Sequence, residues 1–244
     1  MTGTASTGHQ REHERIRAAY RFYDSSAGEQ RKRDEANPGV RRNTDIRWAV
    51  LNRVLSELVL PPGPRLLDVG CGAGEDLRRI AVEFAGLRPS LHGVDLLPDR
   101  IARAREAVPG GTFQVGGAEH LPYDDGHFDV VIAATVFSSM LDDELARAVA
   151  CEMRRVTSKT GVILCYDTRY PNPWNQHTRA MNRRRLQRLF CGARIRLCSL
   201  TLLPPLARRL GGLVELAYPP LHTVPWLRSH YLALIFPSAG RGED

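Results

Sequence analysis

Short apolar runs and helical periods alternate along the middle of this chain. Leu66 to Val69, Leu91 to Asp95, Thr112 to Gly116 and Phe128 to Thr135 are too short for helices and read as strands. Phe128-Asp129-Val130-Val131-Ile132 and Val162 to Asp167 are nearly continuous in apolar residues, the mark of parallel strands buried on both faces. Asp142 to Val156 has an amphipathic helical period, with acids in its first turn and Arg154-Arg155 in its last, as the macrodipole prefers. Arg184 to Phe190 predicts a short helix, Ala193 to Thr201 a sixth strand and Tyr231 to Pro237 a seventh. Ahead of these, His13 to Tyr23 reads as a helix with Ile16, Ala19, Tyr20 and Tyr23 on one side, and Thr44 to Leu58 as another that Pro61-Pro62-Gly63-Pro64 stops. Residues 1–12 are expected to be a disordered tail, Glu29 to Arg42 a mobile loop, and 13–60 together a helical lid on a core spanning 61–244.

The first strand runs into Gly70, Gly72 and Gly74, at every second position, and then into a helix. Glycine takes positive φ and lets a ligand approach the backbone, while the helix turns its first amides toward that ligand. A nucleotide-like molecule fits such a turn. A dinucleotide fingerprint needs a third glycine where this chain has Glu75, whose carboxylate repels a pyrophosphate on the helix end, so NAD and FAD are disfavoured. The second strand ends in Asp95, 27 residues after Asp68, which leaves room for one crossover helix.

Asp68, Gly70, Gly72 and Gly74, then Asp95-Leu96-Leu97-Pro98, Gly117-Ala118-Glu119-His120-Leu121-Pro122 and Phe128 to Thr135 resemble, in order and spacing, the motifs of class I S-adenosylmethionine-dependent methyltransferases of the type-11-like, small-molecule kind. The resemblance implies a Rossmann-like α/β fold with a seven-stranded, mostly parallel sheet, an antiparallel last strand, and S-adenosylmethionine as cofactor. It places the cofactor against Asp68, Gly70, Cys71, Gly72, Gly74, Asp95, Leu96, Ala118, Glu119, Ala133 and Thr135. Asp95 would hold the ribose hydroxyls and Asp68 the methionine amino group. Gly117 departs from the family, which often has an adenine-contacting Asp there; the amide of Ala118 or the carboxylate of Glu119 is left to read the base. Ser138-Ser139 replace a frequent His-His pair. Val156 to Gly161 stands where the family has a Pro-Gly-Gly-like turn, and a turn is expected there.

The run Tyr166-Asp167-Thr168-Arg169-Tyr170-Pro171-Asn172-Pro173-Trp174-Asn175-Gln176-His177 follows the fifth strand, at the edge where open α/β sheets bind ligands. It resembles a segment of bacterial methyltransferases, some of polysaccharide or secondary-metabolite pathways. Methyl transfer to a hydroxyl requires alignment, exclusion of water and a proton acceptor. Asp167 and His177 are the candidate bases, with Tyr166, Arg169 and Asn172 to orient an acceptor. The expected reaction is O-methylation of a small molecule, a sugar-containing metabolite or a polysaccharide or secondary-metabolite precursor. The alternatives are an S-adenosylmethionine-binding protein without activity, or N- or C-methylation of a lipid-linked acceptor.

Composition narrows the partners. A net charge of +7 is dispersed over short clusters such as Arg183-Arg184-Arg185 rather than gathered in an aromatic-bearing stripe, which disfavours nucleic acid. Residues 202–229 form an insert between strands six and seven, where apolar residues beside Arg208-Arg209 suit a peripheral membrane contact. Cys71, Cys151, Cys165, Cys191 and Cys198 are an odd set without a C-x-x-C pair, so neither a disulfide framework nor a metal site is expected. With no apolar signal segment at the N-terminus, a cytoplasmic location is expected.

Overall fold

A computed structural model describes residues 3–172 and 175–237. Its centre is one seven-stranded sheet with the order β3-β2-β1-β4-β5-β7-β6. The strands are β1 (Arg65–Val69), β2 (Ser90–Asp95), β3 (Thr112–Val115), β4 (Phe128–Ala134), β5 (Thr157–Thr168), β6 (Arg194–Leu202) and β7 (Arg228–Phe236). β1 to β5 pair in parallel, and β7 is antiparallel to both β5 and β6. The chain leaves β1 toward β2 and β3, then crosses back to β4 on the other side of β1. The carboxyl ends of β1 and β4 therefore border a crevice, the usual ligand site of such sheets.

The buried strands divide their side chains between two cores by the period of two. Leu67, Val131 and Ile163 pack with α6 (Asp143–Val156) and α7 (Arg183–Leu189). Their neighbours Leu66, Val130, Ile132, Val162 and Leu164 face α3 (Pro38–Glu57), α4 (Glu75–Glu83) and α5 (Pro98–Ala107).

Helix α1 (Gly3–Ser25) starts within the stretch expected to be a disordered tail; Met1 and Thr2 lie outside the described residues. Glu12 ties it down: its buried Oε1 accepts from the amides of Leu141 at 2.7 Å and Asp142 at 3.3 Å, and both its oxygens accept from Arg15 at 2.8 Å. The expected mobile loop overlaps most of α2 (Ala27–Arg33) and contains the start of α3, six residues earlier than the periodicity suggests. Asn37 caps α3, its Oδ1 accepting from Gly39 and Val40 amides at 3.0 and 3.2 Å, and Pro38 occupies the first turn, where its missing N–H costs nothing.

The turn expected at 156–161 is instead the last residue of α6 followed directly by the start of β5. It pairs Thr157 with Phe128 before the register shifts at a bulge, and Gly161 sits there because a Cβ would stand 2.8 Å from the Asp129 carbonyl oxygen. The connection between β6 and β7 folds as α8 (Pro204–Leu210) and α9 (Val214–Thr223), joined by tight turns, around Leu202, Ala207, Val214 and Tyr218. Strand β7 begins at Arg228, inside the predicted insert. α8 packs backbone to backbone on α3, where a side chain on Gly39 would strike the carbonyl of Ala207.

Candidate functional site

The loop after β1 holds Gly70, Gly72 and Gly74 at φ of 71°, 56° and 81°, all left-handed. At Gly70 two constraints coincide, since a Cβ would also lie 2.7 Å from Val136 Cγ2. Gly74 caps α4, and its missing side chain lets that helix end rest against Ala104, 3.3 Å from where a Cβ would stand.

Beyond this loop opens a cavity of about 250 Å³, bounded by the ends of β1, β2 and β4 and covered by His13, Ile16 and Tyr20 of α1. Six of the residues singled out from the sequence line it: Gly70, Asp95, Leu96, Ala118, Glu119 and Thr135. Asp68, Cys71, Gly72, Gly74 and Ala133 stand behind that wall. Ala133 points into the core while its neighbour Ala134 faces the cavity, the one-residue alternation of a strand. Cys71 is buried and its thiol is pushed up by desolvation and by Asp68 and Asp95, which leaves it an unreactive packing group.

Two carboxylates carry the electrostatics. Asp95 accepts from the Gly72 amide at 3.0 Å with Oδ2 and from the Leu97 amide at 2.9 Å with Oδ1, which locks the glycine loop to β2 and still leaves a lone pair on each oxygen. Asp68 is 3% exposed and its Oδ1 has no hydrogen-bond partner among the described residues. Desolvation raises its carboxyl well above the usual range, and Asp76, Asp95 and Glu75 push the same way against the guanidinium of Arg47. Such a pocket favours a cation.

Glu119 occupies the space left by Gly117. A Cβ on Gly117 would collide with both its carboxylate oxygens, Oε1 at 2.6 Å. His13 of α1 stands 3.3 Å from Glu119 Oε2; burial pushes the carboxyl up, but His13 and a backbone amide outweigh it and keep it below the ordinary value.

Residues 66–161 match the family model described as a methyltransferase domain. Over this stretch the chain is similar to class I S-adenosylmethionine-dependent methyltransferases. It is 30% identical over 120 residues to an uncharacterized methyltransferase of Synechocystis, covering 49% of this chain and 54% of that one. It is 33% identical over 120 residues to the 2-methyl-6-phytyl-1,4-hydroquinone methyltransferase of the same organism, covering 48% and 34%. The chain thus spans about half or less of the length of these relatives. The geranyl diphosphate C-methyltransferase of Streptomyces coelicolor, solved with S-adenosylhomocysteine, shares the fold at a TM-score of 0.58 and 16% identity, over 77% of this chain and 80% of that one.

The methyltransferase domain fits this cofactor on its own geometry. An unpartnered acid lies behind the glycine turn, a second acid has free lone pairs at the end of β2, and Leu96, Ala118 and Met140 provide apolar surface between them.

The three candidate catalytic residues lie away from the cavity wall. Asp167 is buried and accepts from the amides of Ser138 at 2.9 Å and Thr168 at 2.7 Å. Burial pushes its carboxyl up to about 6 despite these bonds. It fastens the turn after β4 to β5. His177 donates its amide to Asn175 Oδ1 at 3.0 Å and sets its ring edge-on to Tyr23, 6.4 Å away. Tyr166 faces a different cleft on the α3 side of the sheet, its ring stacked on His230 with centroids 4.8 Å apart. Pro173 and Trp174 of the same run lie outside the described residues.

Sequence reasoning passed over a hydroxyl relay at the cavity. Ser139 Oγ donates to the Thr135 carbonyl at 3.0 Å, so the Tyr20 hydroxyl, 2.9 Å from Ser139 Oγ, donates to it. Arg100 lies 4.6 Å from the Tyr20 ring centroid and bonds Asp24 at 2.8 Å, pinning α1 over the cavity. Thr135 is itself left-handed at φ 57°, held by its amide on the Tyr166 carbonyl at 2.7 Å. A non-glycine residue in that region marks a position fixed by its surroundings.

Proposed function

We propose that this chain transfers the methyl group of S-adenosylmethionine to an oxygen of a small molecule, a secondary-metabolite or sugar-containing precursor. The unpartnered Oδ1 of Asp68 behind the glycine turn carries this reading. It would meet the ammonium of the methionine moiety, Asp95 would accept from the ribose hydroxyls with its remaining lone pairs, and the backbone at Gly70 would lie against the cofactor. Glu119 and the Ala118 amide would face the exocyclic amine of the base, a job that Gly117 cannot do by side chain. The cofactor supplies a methyl group already activated by its sulfonium. What the chain adds is alignment, and exclusion of water by α1 through Ile16 and Tyr20.

Titration with S-adenosylhomocysteine, followed by incubation of S-adenosylmethionine with a metabolite extract, tests this reading. Saturable binding and release of S-adenosylhomocysteine only with extract support it. Binding without release under any acceptor favours a cofactor-binding protein without activity.

A lipid-linked acceptor is the second reading, with methylation at nitrogen or carbon. Leu213, Leu216 and Trp226 on the β6–β7 connection are 65%, 79% and 70% exposed beside Arg208 and Arg209, and one relative is named for a phytyl hydroquinone. Among the described residues no helix is long and apolar enough to cross a membrane, so contact would be peripheral. Flotation with anionic vesicles separates the readings; a protein left in the dense fraction excludes the second.

A further inference from the structure

We propose that the cleft on the far side of Thr135, between α3, α8 and the ends of β5 and β7, is the acceptor site, and that His230 Nε2 takes the proton of an acidic acceptor hydroxyl, phenolic or enolic, bound there. The inference rests on the methyltransferase reading above and, of the acceptors named there, selects those that present an acidic hydroxyl over a sugar alcohol. The cleft has a volume of about 360 Å³ and is walled by Asn43, Arg47, Thr135, Tyr166, Pro204 and His230. Thr135 also lines the cofactor cavity, so the two spaces share a wall residue.

His230 is oriented from behind. Its Nδ1 lies 2.9 Å from Thr201 Oγ1 and 2.8 Å from Ser229 Oγ. Both hydroxyls have other acceptors for their protons, Thr201 the Leu200 carbonyl at 2.7 Å and Ser229 the Leu202 carbonyl at 3.2 Å. With the two hydroxyl protons on those carbonyls, Nδ1 is the donor, and the lone pair of the neutral ring sits on Nε2. Nε2 has no hydrogen-bond partner among the described residues, while the ring borders the cleft. Thr201 is itself left-handed at φ 58°, so the backbone is held in an uncommon state where it supports the imidazole.

Three other polar groups in the cleft, Tyr166, Arg47 and Asn43, are committed. Tyr166 is a neutral phenol pushed up to about 12 by burial, with its hydroxyl 3.3 Å from Thr201 Oγ1. Arg47 bonds Asp76 at 2.8 Å and lies 5.3 Å from the Tyr166 centroid. Asn43 spends its amide on Leu202 and Tyr218. Burial, and secondarily Arg47, push His230 down to about 4. A base that weak is matched to an acidic hydroxyl rather than to a sugar alcohol, because proton transfer from an alcohol to it would be steeply uphill. The flat Tyr166–His230 stack beside Pro204 suits a planar ring. In the step, the acceptor O–H bond would break, its proton going to Nε2 and on to water through the open cleft, and the electron pair left on oxygen would form the bond to the methyl carbon as the carbon–sulfur bond breaks, its electron pair staying on the sulfur of the departing S-adenosylhomocysteine.

The test uses the full chain saturated with S-adenosylhomocysteine and titrated with 4-nitrophenol or with methyl glucoside, followed by calorimetry and by imidazole nitrogen NMR. The account predicts that 4-nitrophenol binds, methyl glucoside does not, and His230→Gln weakens phenol binding about tenfold with S-adenosylhomocysteine affinity unchanged. In the wild-type spectrum His230 should be the Nδ1–H tautomer and its Nε2 signal should move on adding the phenol, a readout that needs no variant to fold. Equal phenol affinity in His230→Gln, an unmoved Nε2 signal, or binding of the glucoside in place of the phenol would each overturn the proposal. Failure of S-adenosylhomocysteine itself to bind would instead overturn the methyltransferase reading beneath it.

Discussion

On one side of Thr135 the floor of the cavity and the layer behind it are built over a short stretch of chain. Three left-handed glycines, the amides they present and the acids at the ends of β1 and β2 all fall within about thirty residues of chain. On the other side the cleft is assembled from side chains of α3, β5, α8 and β7, more than 180 residues apart between Asn43 and His230. The first region is acid-rich and suited to a cation; the second holds a neutral imidazole and a guanidinium already paired with Asp76. The contrast separates two kinds of constraint: one the backbone imposes locally, visible as a motif, and one that only the assembled sheet creates.

The largest effect expected from breaking the first region is at Gly70. Gly70→Val combines a forbidden φ with a clash against Val136, and S-adenosylhomocysteine affinity should fall by about a hundredfold or more, the equivalent of about 3 kcal/mol. Retained affinity would show that the loop is not the cofactor contact. Asp95→Ala should come next. It frees the amides of Gly72 and Leu97 and removes the ribose acceptor, for about a 10- to 100-fold loss in the same titration.

Asp68 sharpens the charge argument. Its carboxyl is raised, so it takes up a proton as pH falls sooner than an exposed aspartate, and the affinity of a cationic ligand should weaken through that descent. Asp68→Asn should flatten this pH dependence and narrow the preference for S-adenosylmethionine over uncharged analogues. A pH profile identical to wild type would remove Asp68 from the site.

Smaller effects are expected outside both cavities. Asp167→Asn should change S-adenosylhomocysteine affinity by less than about twofold, as for a group bonded to backbone amides. Its folded-state value of about 6 lies above the unfolded one, so Asp167 contributes stability that is full below the unfolded value of 3.8 and lost as pH rises through 6. Melting curves of the Asn variant should therefore lack that part of the wild-type decline. Glu12 has the opposite sign. Its folded value is lowered, its stabilisation is present at neutral pH and lost in acid, and Glu12→Gln should lower the melting temperature by about 2–4 °C at pH 7 and by less near pH 4.

The strands and the glycine turn could be read from the chain because backbone rules act locally. Apolar runs set the strands, and positive φ demands glycine. The start of α3 was also encoded, in Asn37-Pro38, but a Pro-Gly pair in a charged stretch reads equally as a loop. The extension of β5 through Gly161 depends on a bulge opposite Asp129, which no periodicity announces. Asp167 shows the limit most plainly. A carboxylate at a strand's carboxyl end has the address of a catalytic group, yet the turn after β4 folds back to present it an amide, and nothing in the nearby sequence encodes that approach. His230 carried little local signal: only Ser229 adjoins it in the chain, while its other hydroxyl partner, Thr201, and its stacking partner, Tyr166, come from two other strands.

Calorimetric titration of the full chain with S-adenosylhomocysteine and, in parallel, with NADH tests the central claim most directly. The account predicts saturable one-to-one binding of S-adenosylhomocysteine that Asp95→Ala weakens, and no heat from NADH. Binding of NADH with none of S-adenosylhomocysteine would contradict it.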